Sequence, residues 1–222
     1  MLRFAKLCVL FLLAASVCSA QTEDQKPAAP QQPASPIATQ NEEAPYDPIT
    51  SHERLRWTIY QTIAPEHIVA GLIVAGLGTA RDAPPEYRAT WAGFGKRFAS
   101  REGSVTLSNS MEAGLGALWR EDPRYFRNAE LPFGRRVANV VKQTFLARRS
   151  DGEFHLAFAR YAAITGSNFI SNSWRPASEA DASHAFSRTG FGFLGRFGSN
   201  AWDEFWPDAK QHFSHRDHHQ DH

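Results

Sequence analysis

Residues 65–80 read PEHIVAGLIVAGLGTA, and the reading of this stretch decides the fold. Pro65 suits the first position of a helix, where its missing N–H would have no intrahelical acceptor anyway. Val-Ala-Gly-Leu occurs twice, at 69–72 and at 74–77, and Gly71, Ala75 and Gly78 fall along one side. A neighbouring backbone can approach closely along such a small-residue face, as happens between helices in membranes. The apolar body from Ile68 to Gly78 is about 11 residues, short of the roughly 20 needed to span a bilayer. The expectation is therefore a helix buried in the core of a bundle, with a membrane-embedded re-entrant segment as the other reading.

The flanking sequence repeats helical signals. Thr50 and Glu53 form a capping-box pair ahead of Leu55, Ile59 and Ile63 at four-residue spacing. Beyond Pro84 and Pro85, aromatic residues fall on one stripe at Tyr87, Trp91, Phe94 and Phe98. A second stripe follows Gly103, through Leu107, Met111, Leu115 and Leu118. Pro132 opens a helix carrying Phe133, Val137, Val141 and Phe145, with Arg148 and Arg149 suited to its C-terminus and Ser150-Asp151-Gly152 making a turn. Phe154, Phe158, Tyr161, Thr165 and Phe169 mark the next helix, and a last one runs from about Ser183 to Trp206-Pro207. No stretch sustains the two-residue alternation of a membrane β-barrel. The predicted class is all-α, a single compact multi-helix domain over 48–207 with glycine-rich, close-packed helices.

The N-terminal part reads as an address and a spacer. Arg3 and Lys6 precede an apolar run from Leu7 to Ala15, then Ser16-Val17-Cys18-Ser19-Ala20 and polar Gln21. This is the pattern of a signal peptide over 1–20 with cleavage after Ala20. Both cysteines, Cys8 and Cys18, fall inside it, which leaves the exported chain without disulfides or thiol chemistry. In the spacer, 21–47, Pro27, Pro30, Pro33 and Pro36 recur at polyproline II spacing, so a disordered Pro-rich linker is expected. Over the whole chain Lys and Arg number 24 against 23 Asp and Glu. The spacer is acidic, with Lys26 against Glu23, Asp24, Glu42, Glu43 and Asp47, so the helical domain is mildly basic.

Few residues point to chemistry. The motifs of serine hydrolases, P-loop enzymes, zinc proteases and dinucleotide-binding proteins do not occur. Glu112 is the candidate catalytic carboxylate, since it lies in a helix that is otherwise small and apolar and could serve there as general acid or base. The structural alternative is that it pairs with an arginine from the charged segment Trp119-Arg120-Glu121-Asp122-Pro123-Arg124-Tyr125-Phe126-Arg127. A buried carboxylate needs such a partner. Downstream, Arg124, Arg127, Arg135, Arg136, Lys142, Arg148 and Arg149 face only Glu130 as acidic opposition. Arg124, Arg127, Arg135, Arg136 and Lys142 are the candidates for an anion or lipid headgroup. A plain solvated face is the alternative. Nucleic acid would fit the charge, but an exported protein seldom meets it.

The tail, 208–222, carries His212, His215, His219 and His222 at spacings of three, four and three. Imidazoles so placed on a helix could hold a transition metal. That is the only cofactor expectation, beside a merely soluble tail.

The chain also resembles a family of uncharacterised secreted bacterial proteins that carry a central D-P-R-Y-F-R motif. Asp122-Pro123-Arg124-Tyr125-Phe126-Arg127 carries that motif. Gly95-Lys96-Arg97-Phe98, Glu112-Ala113, Arg149-Ser150-Asp151-Gly152, Ser171-Asn172 and Glu204-Phe205-Trp206-Pro207-Asp208 match in order around it. The resemblance runs from Trp91 to Trp206 and departs after Gly152, where Phe154, His155 and Phe158 replace polar residues; the histidine-rich tail is no part of it. It implies an architecture and an exported location, and no established activity.

The expected function is that of a non-enzymatic cell-envelope protein, in the periplasm or on the outer membrane, bound to membrane lipid or to a membrane-bound partner. The alternative is a soluble periplasmic enzyme or ligand-binding protein using Glu112 and Arg124, with Asn168 or Asn172, in a pocket between helices.

Overall fold

A computed structural model describes residues 46–217. The expected signal peptide, nearly all of the spacer, and His219 and His222 lie outside them.

Helix α1, Ser51–Ile63, starts at the predicted capping box, with the Thr50 amide donating to Glu53 Oε2 at 2.8 Å and the Glu53 amide to Thr50 Oγ1 at 3.3 Å. Ala64, at ψ 144°, breaks the helical path, and α2, Pro65–Ala80, resumes behind its proline. Helix α3, Trp91–Trp119, is capped by the Thr90 hydroxyl and ends on left-handed Arg120. It runs unbroken through Gly103, where the sequence showed two separate stripes, and its 29 residues make it about 43 Å long.

Strand β1, Glu121–Asp122, leads to α4, Phe133–Phe145, followed by β2, Leu146–Arg149, and β3, Phe154–Leu156. The three strands pair antiparallel in the order β1-β2-β3. Arg148 and Arg149 therefore lie in a strand, not at a helix C-terminus. There they stand opposite Asp122 and Glu121, a cross-strand pairing of opposite charges. Helix α5 is Phe158–Ile170, and α6, Ala182–Asp217, carries Pro207 inside it. The domain is all-α apart from this small sheet, as the sequence predicted.

α3 is the central element. α1 meets its C-terminal half, where Asn109 donates to the Gln61 carbonyl at 3.0 Å, and α2 meets its N-terminal half. A Cβ on Gly71 would overlap the Glu102 carboxylate and come within 3.1 Å of Phe98, so this contact needs glycine. A Cβ on Gly78 would lie 3.1 Å from Arg97 Cδ and 3.2 Å from the Ala83 carbonyl oxygen. By contrast, Gly95, Gly103 and Gly114 on α3 have no described atom near the position a Cβ would take. Close packing through glycine is thus confined to particular contacts.

The interior differs from the expected apolar core. Its hydrophobic residues are Trp57, Val140, Ile164 and a set of alanines, while Arg97, Glu112, Glu121, Asp122, Arg160 and Glu204 are also buried. Large apolar residues point outward instead: Leu55, Ile59 and Ile63 on α1, and Val69, Leu72, Ile73, Val74 and Leu77 on α2. In α2 only Gly71 and Ala75 are buried, so the predicted core helix turns its small side inward and its large side out. Small residues seat the helices close together, and charged pairs fill the space that remains. The stretch Ser51–Ala80 is long and apolar enough by composition to cross a membrane, with mean hydropathy 1.5 over its most apolar window.

Candidate functional site

The charged motif forms a junction between elements. Asp122, 1% exposed, accepts from Arg124 Nε at 3.0 Å, from Arg124 Nη2 at 2.7 Å and from the Tyr46 hydroxyl at 2.9 Å. Burial, reinforced by that carboxylate, pushes the Tyr46 hydroxyl up to about 12. Arg124 also reaches Glu53 at 3.3 Å and the Asp47 carbonyl at 2.9 Å, which ties the start of α1 to β1.

Glu204 of α6, fully buried, takes the Tyr125 hydroxyl and Arg136 Nε, each at 2.6 Å. Burial would raise its carboxyl, but those hydrogen bonds prevail and hold it below the usual carboxylate range. Arg127 and Arg136 both pair with Asp208, and both donate to the Glu204 carbonyl. Gln143 clamps the backbone of Phe126 from both sides, accepting from its amide at 2.8 Å and donating to its carbonyl at 2.7 Å.

The predicted headgroup residues differ in their surroundings. Arg124, Arg127 and Arg136 spend their donors on internal acceptors, so the basic run largely locks α1, β1, α4 and α6 together. Lys142 lies over the Phe154 ring at 3.8 Å. Arg135 is exposed, with no carboxylate in ion-pair range among the described residues.

Glu112 is 3% exposed and sits between two other arginines. Arg160 of α5 donates from Nε at 2.9 Å, and Arg196 of α6 pairs with the second oxygen. The charged motif does not supply its partner, as the structural alternative had assumed, and Arg124 is not beside it. The set Glu112 with Arg124 is therefore not assembled in one pocket. Sequence reading missed Arg160 and Arg196 because each lies among aromatic and small residues, and their distance from Glu112 along the chain gives no local signal.

A cavity of about 950 Å³ does lie between α2, α3, α5 and α6. Glu112 forms part of its wall, with both oxygens engaged. The donors on its wall are Ser100, Ser104 and Ser108, which recur every fourth residue along α3, the Ser104 hydroxyl being given to the Ser100 carbonyl at 2.9 Å, and Arg175 and Arg188 from the segment after α5 and from α6. The four-residue serine spacing beside Arg97 and Arg101 was the available signal. Asn168 lines the same cavity, and the Asn172 side chain accepts from Arg188. Val74, Leu77, Phe191 and Leu194, also in its lining, are exposed.

Of the tail histidines, His212 is exposed on the last turns of α6, and the side chains of the other three lie outside the described set. Among the described residues no cluster of His, Asp and Glu is arranged to hold a metal ion. Comparison with family models, curated proteins and solved structures gives no match to the chain.

Proposed function

We propose that this chain is a non-catalytic protein of the cell envelope whose helical body rests with one flank in membrane lipid. One observation carries the reading: α2 turns Val69, Leu72, Ile73, Val74 and Leu77 outward while Gly71 and Ala75 face the bundle. Exposed apolar area on this scale is costly in water and marks contact with lipid or with a partner. Phe186, Phe191 and Leu194 extend the apolar surface along α6.

The tryptophans support a lipid interface. Trp91 and Trp119 bound α3, and Trp202 and Trp206 stack at 4.3 Å, all exposed. Indole rings favour the zone between headgroups and hydrocarbon. From Ile68 to Ala80 α2 carries no charge, a run of ~20 Å. That depth suits insertion from one side of a hydrocarbon layer of about 30 Å. The signal peptide and spacer expected from the sequence support a location outside the cytoplasm, and the D-P-R-Y-F-R resemblance agrees with it.

The enzyme alternative keeps less support. Its carboxylate, Glu112, has both oxygens held by guanidinium groups, and Arg124 is committed to Asp122. Membrane fractionation tests the lipid reading. The chain should stay with membranes through carbonate washing, leave them only in detergent, and float with liposomes. Recovery as a monodisperse soluble protein without detergent would defeat it.

A further inference from the structure

The cavity between α2, α3, α5 and α6 retains donors that no internal contact uses. Ser100 is 8% exposed, and its hydroxyl has no partner among the described residues, although buried hydroxyls ordinarily find one. Arg188 gives its terminal nitrogens to the Glu179 carbonyl at 2.9 Å, the Asn168 carbonyl at 3.3 Å and the Asn172 side chain. All of those acceptors are neutral. Its Nε is buried and unused, and it forms no ion pair among the described residues. Arg175 divides its donors among Ser171 at 3.3 Å and Glu179 and Ser104, each at 3.4 Å. Around this corner the carboxylates of Glu179 and Asp181 both act on Arg188, but Glu179 pairs with Arg175 and neither reaches Arg188 as an ion pair among the described residues. The exposed part of the cavity lining includes Val74 and Leu77 from α2 and Phe191 and Leu194 from α6.

We propose that the cavity binds an amphiphile with an anionic head, a carboxylate or a phosphate ester, on an acyl chain. The head takes the donors left over at Arg188 and Ser100, where a charged acceptor makes the stronger kind of hydrogen bond. The chain leaves along Val74, Leu77, Phe191 and Leu194 toward the apolar exterior. A volume of about 950 Å³ is at the upper end of small-molecule sites, enough for a head and the first part of a chain. Membrane residence is a separate matter, because the cavity would take up a free fatty acid even if the body were soluble.

The purified full chain is titrated with radiolabelled oleate, oleyl alcohol and inorganic phosphate, and with vesicles of phosphatidylglycerol or phosphatidylcholine. Oleate should occupy a single saturable site, with oleyl alcohol and phosphate at least about tenfold weaker, the order expected for one lost charge-assisted contact. Preference for phosphatidylglycerol vesicles without uptake of free oleate assigns the head to a phosphate ester. Arg188→Gln should weaken binding by about 10- to 100-fold and Ser100→Ala by about 3- to 10-fold. Ser100→Ala should melt no lower than the parent, because the hydroxyl it removes has no partner. Ser108→Phe, which fills the cavity, should abolish binding with the helical circular dichroism unchanged. Equal binding of oleyl alcohol, no effect of Ser100→Ala, or binding of neither oleate nor phosphatidylglycerol overturns the proposal. Ser100→Ala decides the matter by itself if Arg188→Gln does not fold.

Discussion

Glu112→Gln should destabilise the domain severely. The substitution keeps the size of the side chain and removes the one carboxylate between Arg160, 2% exposed, and Arg196. Arg160 retains the carbonyls of Gln143, Thr144 and Leu146. Arg196 retains the Trp57 ring at 5.3 Å. Breaking a buried pair from one side costs about 3–5 kcal/mol, because a charge is left uncompensated in the interior. In a domain of this size each kcal/mol moves the melting point by roughly 2–4 °C, so Tm should fall by roughly 6–20 °C. The assay is a thermal melt followed by far-ultraviolet circular dichroism, with parent and variant in identical buffer and detergent. Replacing Glu112, Arg160 and Arg196 together by leucine and methionine should recover only part of the loss, since no charge is then stranded but the carbonyls of Gln143, Thr144 and Leu146 lose their arginine donor. A Tm within about 2 °C of the parent, less than about 1 kcal/mol, would refute the view that Glu112 holds α3 to α5 and α6.

Gly71→Leu should cost about 1–3 kcal/mol by overpacking against Phe98, Arg101 and Glu102, whereas Gly103→Leu should be neutral or stabilising; paired thermal melts compare them. Acidification should weaken the junction. The Glu204 and Asp208 carboxyls sit below their unfolded values in the fold, so their contribution is complete above the ordinary carboxylate range. It is lost as pH falls through the depressed folded values, and urea midpoints against pH should show that limb shrink in Glu204→Gln. Asp122→Asn should bring the Tyr46 hydroxyl down from about 12 toward its ordinary value, read from phenolate absorbance; an unchanged titration would detach Tyr46 from the junction. The fall should be partial, because burial is the larger cause.

Local signals in the sequence were reliable where the physics is local. The Thr50–Glu53 box, Pro65 at a helix start and the turn at Ser150-Asp151-Gly152 each depend on a few neighbouring residues, and each forms. The sheet was not legible because its strands have two to four residues, too few to show a period. The partners of Glu112 were not legible because Arg160 and Arg196 reach it only once three helices have packed. Nor was the cavity, whose walls come from four helices far apart along the chain.

By itself the sequence determined that the chain is helical, where most helices begin, and which residues share a side of each helix. Periodicity fixes a face but carries no statement of which way it points. The stripe Leu55, Ile59, Ile63 has the spacing of a core seam, yet all three residues are exposed. Only the tertiary structure decided that direction. Small residues such as Gly71 and Ala75 let the backbones approach, and the space between them suits alanine and paired charges better than leucine and phenylalanine. The large side chains are therefore left on the outside.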